Sequence, residues 1–279
     1  SELRRPELCV FLAIFTGFYF MFNALFDVLP LHVDDWVDSR DVVTRVSQTL
    51  NIENPIVGFV MILDKTKQYI QPEGIINVNS GMIMLTCFFF AWISSKMRIL
   101  RSIALGTTLA ALSLFLVGLS TAGWTALGAV AIFSVGEMLS SPKFGEFIGG
   151  HLAPDDKKAM YLGLGQISFA VGSTLEGKIG PFLYDHLASK ERFSRQMLAE
   201  SGMPAWKIDQ IPKGEAFNRL VEFTGQAPDT LTHLLYNNHP VSHMWFFMAG
   251  VGLVTALLIL LYSFWLQRRV ATSRSGSVR

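Results

Sequence analysis

The fold class that the sequence predicts is an all-α membrane protein with six spanning helices, and three observations carry it. Of 279 residues, 51% are apolar and 16% charged, a balance too apolar for a soluble domain of this length. A hydrocarbon layer about 30 Å thick takes roughly 20 apolar residues per helix to cross. Six stretches are that long, at 8–30, 74–96, 100–120, 124–149, 159–184 and 241–267. Finally, Lys and Arg gather close to the ends of these stretches on one side of the membrane.

Composition also excludes several functions. The formal net charge is +1 and no basic patch occurs, which argues against a nucleic-acid partner, since phosphate neutralisation needs Lys and Arg concentrated on one face. Cys9 and Cys87 lie in apolar stretches without metal-ligand spacing and read as packing residues. No phosphate-cradling glycine loop and no His-Glu-x-x-His run is present, so neither a metal nor a cofactor is expected. The run Gly118-Leu119-Ser120-Thr121-Ala122-Gly123 lacks a mid-membrane His to activate its Ser, and the chain does not read as an enzyme. The opening Ser1-Glu2-Leu3-Arg4-Arg5-Pro6 is not shaped like a signal peptide, and the chain reads as a piece of a longer protein.

The connections divide the chain into 1–184, which holds five helices and a polar loop at 31–73, then 185–240, and then 241–279 with the last helix and a basic tail. The other turns, 97–99, 121–123 and 150–158, are short. Within 185–240, helix signals fall near 189–200, 214–224 and 228–237, punctuated by Gly202, Pro204, Pro212, Gly225 and Pro228. Arg4, Arg5, Lys96, Arg98, Arg101, Lys157, Lys158, Arg268, Arg269 and Arg274 all fall on one face, which the positive-inside rule makes cytoplasmic. A multi-pass plasma (inner) membrane protein with both termini inside and both long loops outside follows. The basic residues of 31–73 are diluted among Asp34, Asp35, Asp38, Asp41, Glu53 and Asp64.

Ionisable groups at membrane depth are costly, so each one that cannot reach an interface is a candidate site. Glu137 lies roughly 20 Å along the fourth span at about 1.5 Å per residue. Ser134, Glu137 and Ser141 fall at i, i+3 and i+7 and make a polar stripe, and Pro142 withdraws a hydrogen bond from the carbonyl of Met138. Such a helix lines a cavity or, alternatively, buries a structural carboxylate bonded to its neighbours. Asp27, Glu176 and Lys178 lie closer to the outer surface. They read either as interfacial charges or as an outer gate in which Asp27 or Glu176 pairs with Lys178 across helices. Lys143 and Glu146, three apart, pair locally. Gly163, Gly165, Gly172, Gly177 and Gly180, with Gly145 and Gly149 in G-x-x-x-G spacing, read as helix-packing positions.

Six helices with both ends inside resemble one half of a major facilitator superfamily transporter, whose halves are each two inverted three-helix repeats. Trp92-Ile93-Ser94-Ser95-Lys96-Met97-Arg98 sits where that superfamily carries a basic cytoplasmic motif. The segment from Asn77-Val78-Asn79-Ser80-Gly81-Met82 to Phe90-Ala91-Trp92 is similar to the eighth helix of the proton-coupled oligopeptide transporters. Gly136-Glu137-Met138-Leu139-Ser140-Ser141-Pro142, with Glu146-Phe147 and Ala153-Pro154, is similar to the tenth. The resemblance implies that Asn79 and Glu137 line the central cavity and help hold the termini of a peptide. Ser80 stands in place of the family's Pro, and Phe22-Asn23-Ala24 in place of its acidic-Gln pair, which adds Asn23 to the candidate positions. The implied function is the C-terminal bundle of a proton-coupled secondary transporter for small solutes such as peptides. Its partners are then the solute, protons, an N-terminal six-helix half and the lipid bilayer. The other reading is a six-helix scaffold that moves no solute.

The charge distribution generates a topology test. With Cys9 and Cys87 replaced by Ser, Arg274→Cys should be protected from an impermeant thiol reagent applied outside and Gln210→Cys should react. The reverse pattern overturns the orientation.

Overall fold

A backbone in hydrocarbon satisfies its N–H and C=O groups only within itself, so the apolar stretches are committed to helix. The computed structural model describes residues 5–50, 54, 57 and 61–276, with side chains as far as Arg269. The chain runs α1 (Pro6–Asp27), α2 (Leu29–Trp36), α3 (Arg40–Thr49), α4 (Pro72–Ser95), α5 (Ile99–Leu119) and α6 (Gly123–Phe147). A π-turn (Ile148–Leu152) and a 3-10 turn (Asp155–Lys157) lead to α7 (Lys158–Leu187), α8 (Lys190–Glu200), α9 (Ala205–Asp209), α10 (Ala216–Thr224), α11 (Pro228–Asn238) and α12 (Val241–Gly276). Proline in the first turn, where its missing N–H has no helical partner, opens α1, α2, α4 and α11.

Among the described residues, five helices are long and apolar enough to cross a membrane: the continuous run Pro6–Trp36, then α4, α5, α6 with its π-turn, and α12. The predicted count of six is met in length alone. α7 has 30 residues, yet its glycines together with Lys158, Glu176, Lys178 and Asp185 leave it less apolar than the others. The first span also differs from its predicted 8–30, because the chain bends at Val28 and resumes as α2, burying Leu29, His32, Val33 and Trp36.

The principal helix contacts are α5 with α6, α12 with α5, α7 with α1, α4 with α6, and α1 with α12. Exchanging α1 with α6, α4 with α7 and α5 with α12 maps this set onto itself. Glycines set how closely the axes approach. A Cβ on Gly136 would stand 2.5 Å from the Gly106 carbonyl oxygen and 2.7 Å from the Ala110 nitrogen, so α5 and α6 cross backbone to backbone. At a second crossing, a Cβ on Gly172 of α7 would stand 2.8 Å from the Thr16 oxygen and 2.9 Å from the Phe20 nitrogen of α1. Gly163 and Gly177 have open space around them, and Gly145 and Gly149 meet Leu162 only at ordinary contact distance, so the predicted G-x-x-x-G seam is not the close one.

At the basic end, aromatic rings fill the wedge between α1, α6 and α12. Phe15 stacks on Phe144 at 4.1 Å and Phe11 meets Phe147 at 4.7 Å and Tyr262 at 5.6 Å. The Tyr262 hydroxyl donates to the Glu7 carbonyl (3.0 Å), and Arg269 pairs with the Glu7 carboxylate, tying the first helix to the last. Lys143 and Glu146 form the predicted local pair at 2.6 Å. Met84, Leu85, Phe88, Phe89 and Trp92 of α4 stand exposed, an apolar face that water cannot satisfy.

The two long connections meet at the opposite end. The Asp38 N–H donates to the Thr121 carbonyl (2.8 Å) and the Gly123 N–H to the Asp38 carbonyl (2.7 Å), fixing the start of α6. Arg40 bridges Asp38 and Asp229 (2.6 and 2.9 Å), and its guanidinium holds the Asp38 carboxyl below the usual carboxylate range. The Trp36 indole donates to the Ala188 carbonyl (2.8 Å) and the Tyr236 hydroxyl to the Gly118 carbonyl (3.3 Å). Helices α8, α10 and α11 occupy the predicted 189–200, 214–224 and 228–237 almost residue for residue, while the five-residue α9 has no counterpart in the prediction.

The glycine crossing generates a stability test. Gly136→Val should destabilise the detergent-solubilised bundle by about 1–3 kcal/mol through forced separation of α5 and α6. Gly163→Ala, with open space around it, should be neutral or slightly stabilising. Equal effects in denaturant unfolding would refute the crossing.

Candidate functional site

The most polar interior region lies where α4 meets α6. Ser134 and Asn79 are buried, while Glu137 between them is only partly so. The Asn79 amide nitrogen donates to the Ser134 hydroxyl at 3.1 Å and to Glu137 Oε2 at 2.9 Å. Ser134 in turn donates to the carbonyl of Val130 (2.8 Å), so its hydroxyl proton is used within its own helix and its lone pair faces α4. Amide, hydroxyl and carboxylate therefore form one chain of donors and acceptors, and among the described residues it leaves Glu137 Oε1 without a partner.

The helix carrying the carboxylate runs through Pro142 without interruption to Phe147, after which the π-turn absorbs the change in register. Ser141, one turn beyond Glu137, shares its face but joins no bond of the cluster among the described residues. Its neighbour Ser140 instead bonds back to the Gly136 carbonyl at 2.5 Å. Asn23 is not brought to Glu137. Its amide donates to the carbonyl of Tyr19 (2.6 Å) and to the Ser173 hydroxyl of α7 (2.9 Å). Each of the two exchange-related helix pairs, α4–α6 and α1–α7, is thus bridged by one asparagine amide.

Tyr19 is the residue that sequence reasoning missed. Its carbonyl accepts the Asn23 amide, and its ring packs edge-on against Phe144 and Phe169. Its position four residues before Asn23, on the same helical face, is the signal that could have found it.

The remaining candidates do not assemble as an ion-pair gate. Lys178 is exposed and forms no ion pair with Asp27 or Glu176 among the described residues. Glu176, two residues away and therefore on another face of α7, is fully buried, and neither of its carboxylate oxygens has a hydrogen-bond partner among the described residues. At the turn after α4, the Lys96 ammonium lies 3.5 Å above the Trp92 ring, a cation–π contact.

The Asn79–Glu137 bond generates a coupling test. A double-mutant cycle of Asn79→Ala and Glu137→Gln, read from unfolding in detergent, should give a coupling of roughly 0.6–1.7 kcal/mol, the range for hydrogen bonds between membrane helices. A coupling indistinguishable from zero refutes the bond. No family model, curated protein or solved structure matches this chain.

Proposed function

We propose that the chain is the C-terminal bundle of a secondary active transporter of the major facilitator type, proton-coupled and acting on small solutes, with short peptides the first class to test. The observation that carries the reading is the Asn79–Ser134–Glu137 cluster. It holds a carboxylate in mid-span, fixed through one oxygen by the neighbouring helix, with the other oxygen available to a proton or to a cationic group of a solute. A purely structural carboxylate would be buried with both oxygens bonded. The exchange symmetry of the helix contacts supports the same reading, because inverted three-helix repeats generate that symmetry. So does the exposed apolar face of α4, which suits a second bundle. Sites of this superfamily lie between two bundles, so an N-terminal six-helix half completes the cavity.

The test expresses the uninterrupted reading frame that encodes this bundle in cells and measures uptake of labelled dipeptides driven by a proton gradient. Glu137→Gln should leave membrane abundance unchanged and weaken uptake about ten- to hundredfold, the loss of a hydrogen bond to a charged group worth about 1.5–3 kcal/mol. The 279-residue chain alone in liposomes should give no saturable uptake. A wild-type frame that moves no solute under any gradient would favour the scaffold reading. Uptake unaffected by Glu137→Gln would remove the carboxylate from the mechanism.

A further inference from the structure

The capped end holds a cavity apart from the Asn79–Glu137 cluster. It measures about 590 Å³ and lies between the 31–73 connection and helices α8, α10 and α11, and neither Asn79 nor Glu137 reaches its wall. Pockets that enclose small ligands run from about 300 to 1,000 Å³. Its aromatic wall is Trp36, Phe217 and Tyr236. These rings are set in place by the fold. Trp36 is buried and donates its indole N–H to the Ala188 carbonyl (2.8 Å), and Tyr236 meets it edge-on at 5.5 Å while its hydroxyl donates to the Gly118 carbonyl (3.3 Å).

Most charged side chains on the wall are already committed within the protein. Arg40 carries both Asp38 and Asp229. Asp64 accepts the backbone N–H groups of Thr66, Gln68 and Tyr69 at 3.2, 2.8 and 3.0 Å. Asp35 accepts the Tyr184 hydroxyl and the backbone N–H of Lys190. Lys190, Asp34 and Glu73 are left over. The half-buried Lys190 ammonium lies 4.0 Å from the centre of the Phe217 ring and 5.7 Å from that of Trp36, with no carboxylate at ion-pair distance among the described residues. Its three N–H donors therefore have ring faces beside them and no anion. Asp34 and Glu73 are exposed and have neither a hydrogen bond nor an ion pair among the described residues.

Free charges of both signs on one wall decide what the cavity takes. A simple anion would satisfy Lys190 but face two free carboxylates, and a simple cation would satisfy a carboxylate but face the free ammonium. We propose that the cavity binds a small zwitterionic solute with an apolar or aromatic body. Its carboxylate is taken by Lys190, its ammonium by Asp34 or Glu73, and its body by the rings of Phe217 and Tyr236, with Trp36 behind them. A charge-assisted hydrogen bond at each end then fixes orientation, and the aromatic wall selects the body. The site stands whether or not Glu137 handles a solute.

The test uses the full 279-residue chain in detergent, with titration calorimetry at neutral pH. The probe is the dipeptide alanyl-phenylalanine, which carries both charges and one aromatic ring. It should bind wild type saturably, whereas its C-terminal amide and its N-acetyl form should each bind about tenfold or more weakly, the loss of one charge-assisted hydrogen bond. Lys190→Gln should weaken the free dipeptide by a similar factor and leave the amide unchanged. The double substitution Asp34→Asn with Glu73→Gln should do the same relative to the N-acetyl form. The comparison of the three probes on wild type decides the matter even where a substitution impairs folding. No binding of the free dipeptide at millimolar concentration, or equal affinity for the dipeptide and its amide, would overturn the proposal. Tighter binding of the amide would make this a cation site, and tighter binding of the N-acetyl form an anion site, and either also overturns it. So would binding lost in Glu137→Gln and kept in Lys190→Gln, which would place the probe at the mid-span cluster. Because binding is read without uptake, failure of the transport reading leaves this result unaffected.

Discussion

Inside a hydrocarbon layer each polar atom has to find its partner within the protein, and the rest of this architecture follows from that constraint. It commits the apolar stretches to helix, confines the irregular backbone of 37–39 and 120–122 to the capped end, and makes the amides of Asn23 and Asn79 bridges between helices. Asn79 is the clearest case. Its nitrogen reaches two acceptors on α6, so the helix with the most exposed apolar surface is fastened by a polar contact. Pro142 obeys the same constraint, since the helix continues past it and the disturbance appears only at the π-turn.

Close approach is then distributed between two kinds of contact. At α5–α6 and α1–α7 the glycines Gly106, Gly136 and Gly172 let backbones touch, which in lipid supplies dispersion and short-range polar contacts that bulky side chains would prevent. At the basic end, the rings of Phe11, Phe15, Phe144, Phe147 and Tyr262 pack together between α1, α6 and α12. The rings fill space where the helices stand apart, and the glycines remove it where they cross.

What could be read from the sequence follows from where the physics is local. Span lengths were legible because hydrocarbon thickness fixes them, and the cap helices because Gly202 and Gly225 adopt left-handed backbone where the helices break. The α2 helix was hidden because Asp34 and Asp35 mask the apolar spacing of Leu29, Val33 and Trp36. The Glu137 stripe was visible on one helix, but its partner Asn79, 58 residues away, was reached only through resemblance. Glycine spacing misdirected the packing argument to Gly145 and Gly149, since spacing says which residues share a face and not which face meets a neighbour. For the same reason Lys178 was grouped with Glu176, although two residues on a helix point about 200° apart.

The contact of α1 with α12 joins residues 262 apart in the chain, through Glu7 and Arg269, and this has a consequence for biosynthesis. At about 5–20 residues per second, roughly 13–52 seconds separate the emergence of the two residues from the ribosome. During that interval Phe11 and Phe15 gain Phe144 and Phe147 once α6 emerges, while the side of Phe11 that meets Tyr262 stays turned to lipid or to a membrane chaperone. The bundle is therefore sealed last at its basic end, and a ribosome that stalls before α12 leaves Phe11 and Phe147 without Tyr262 and Glu7 without Arg269.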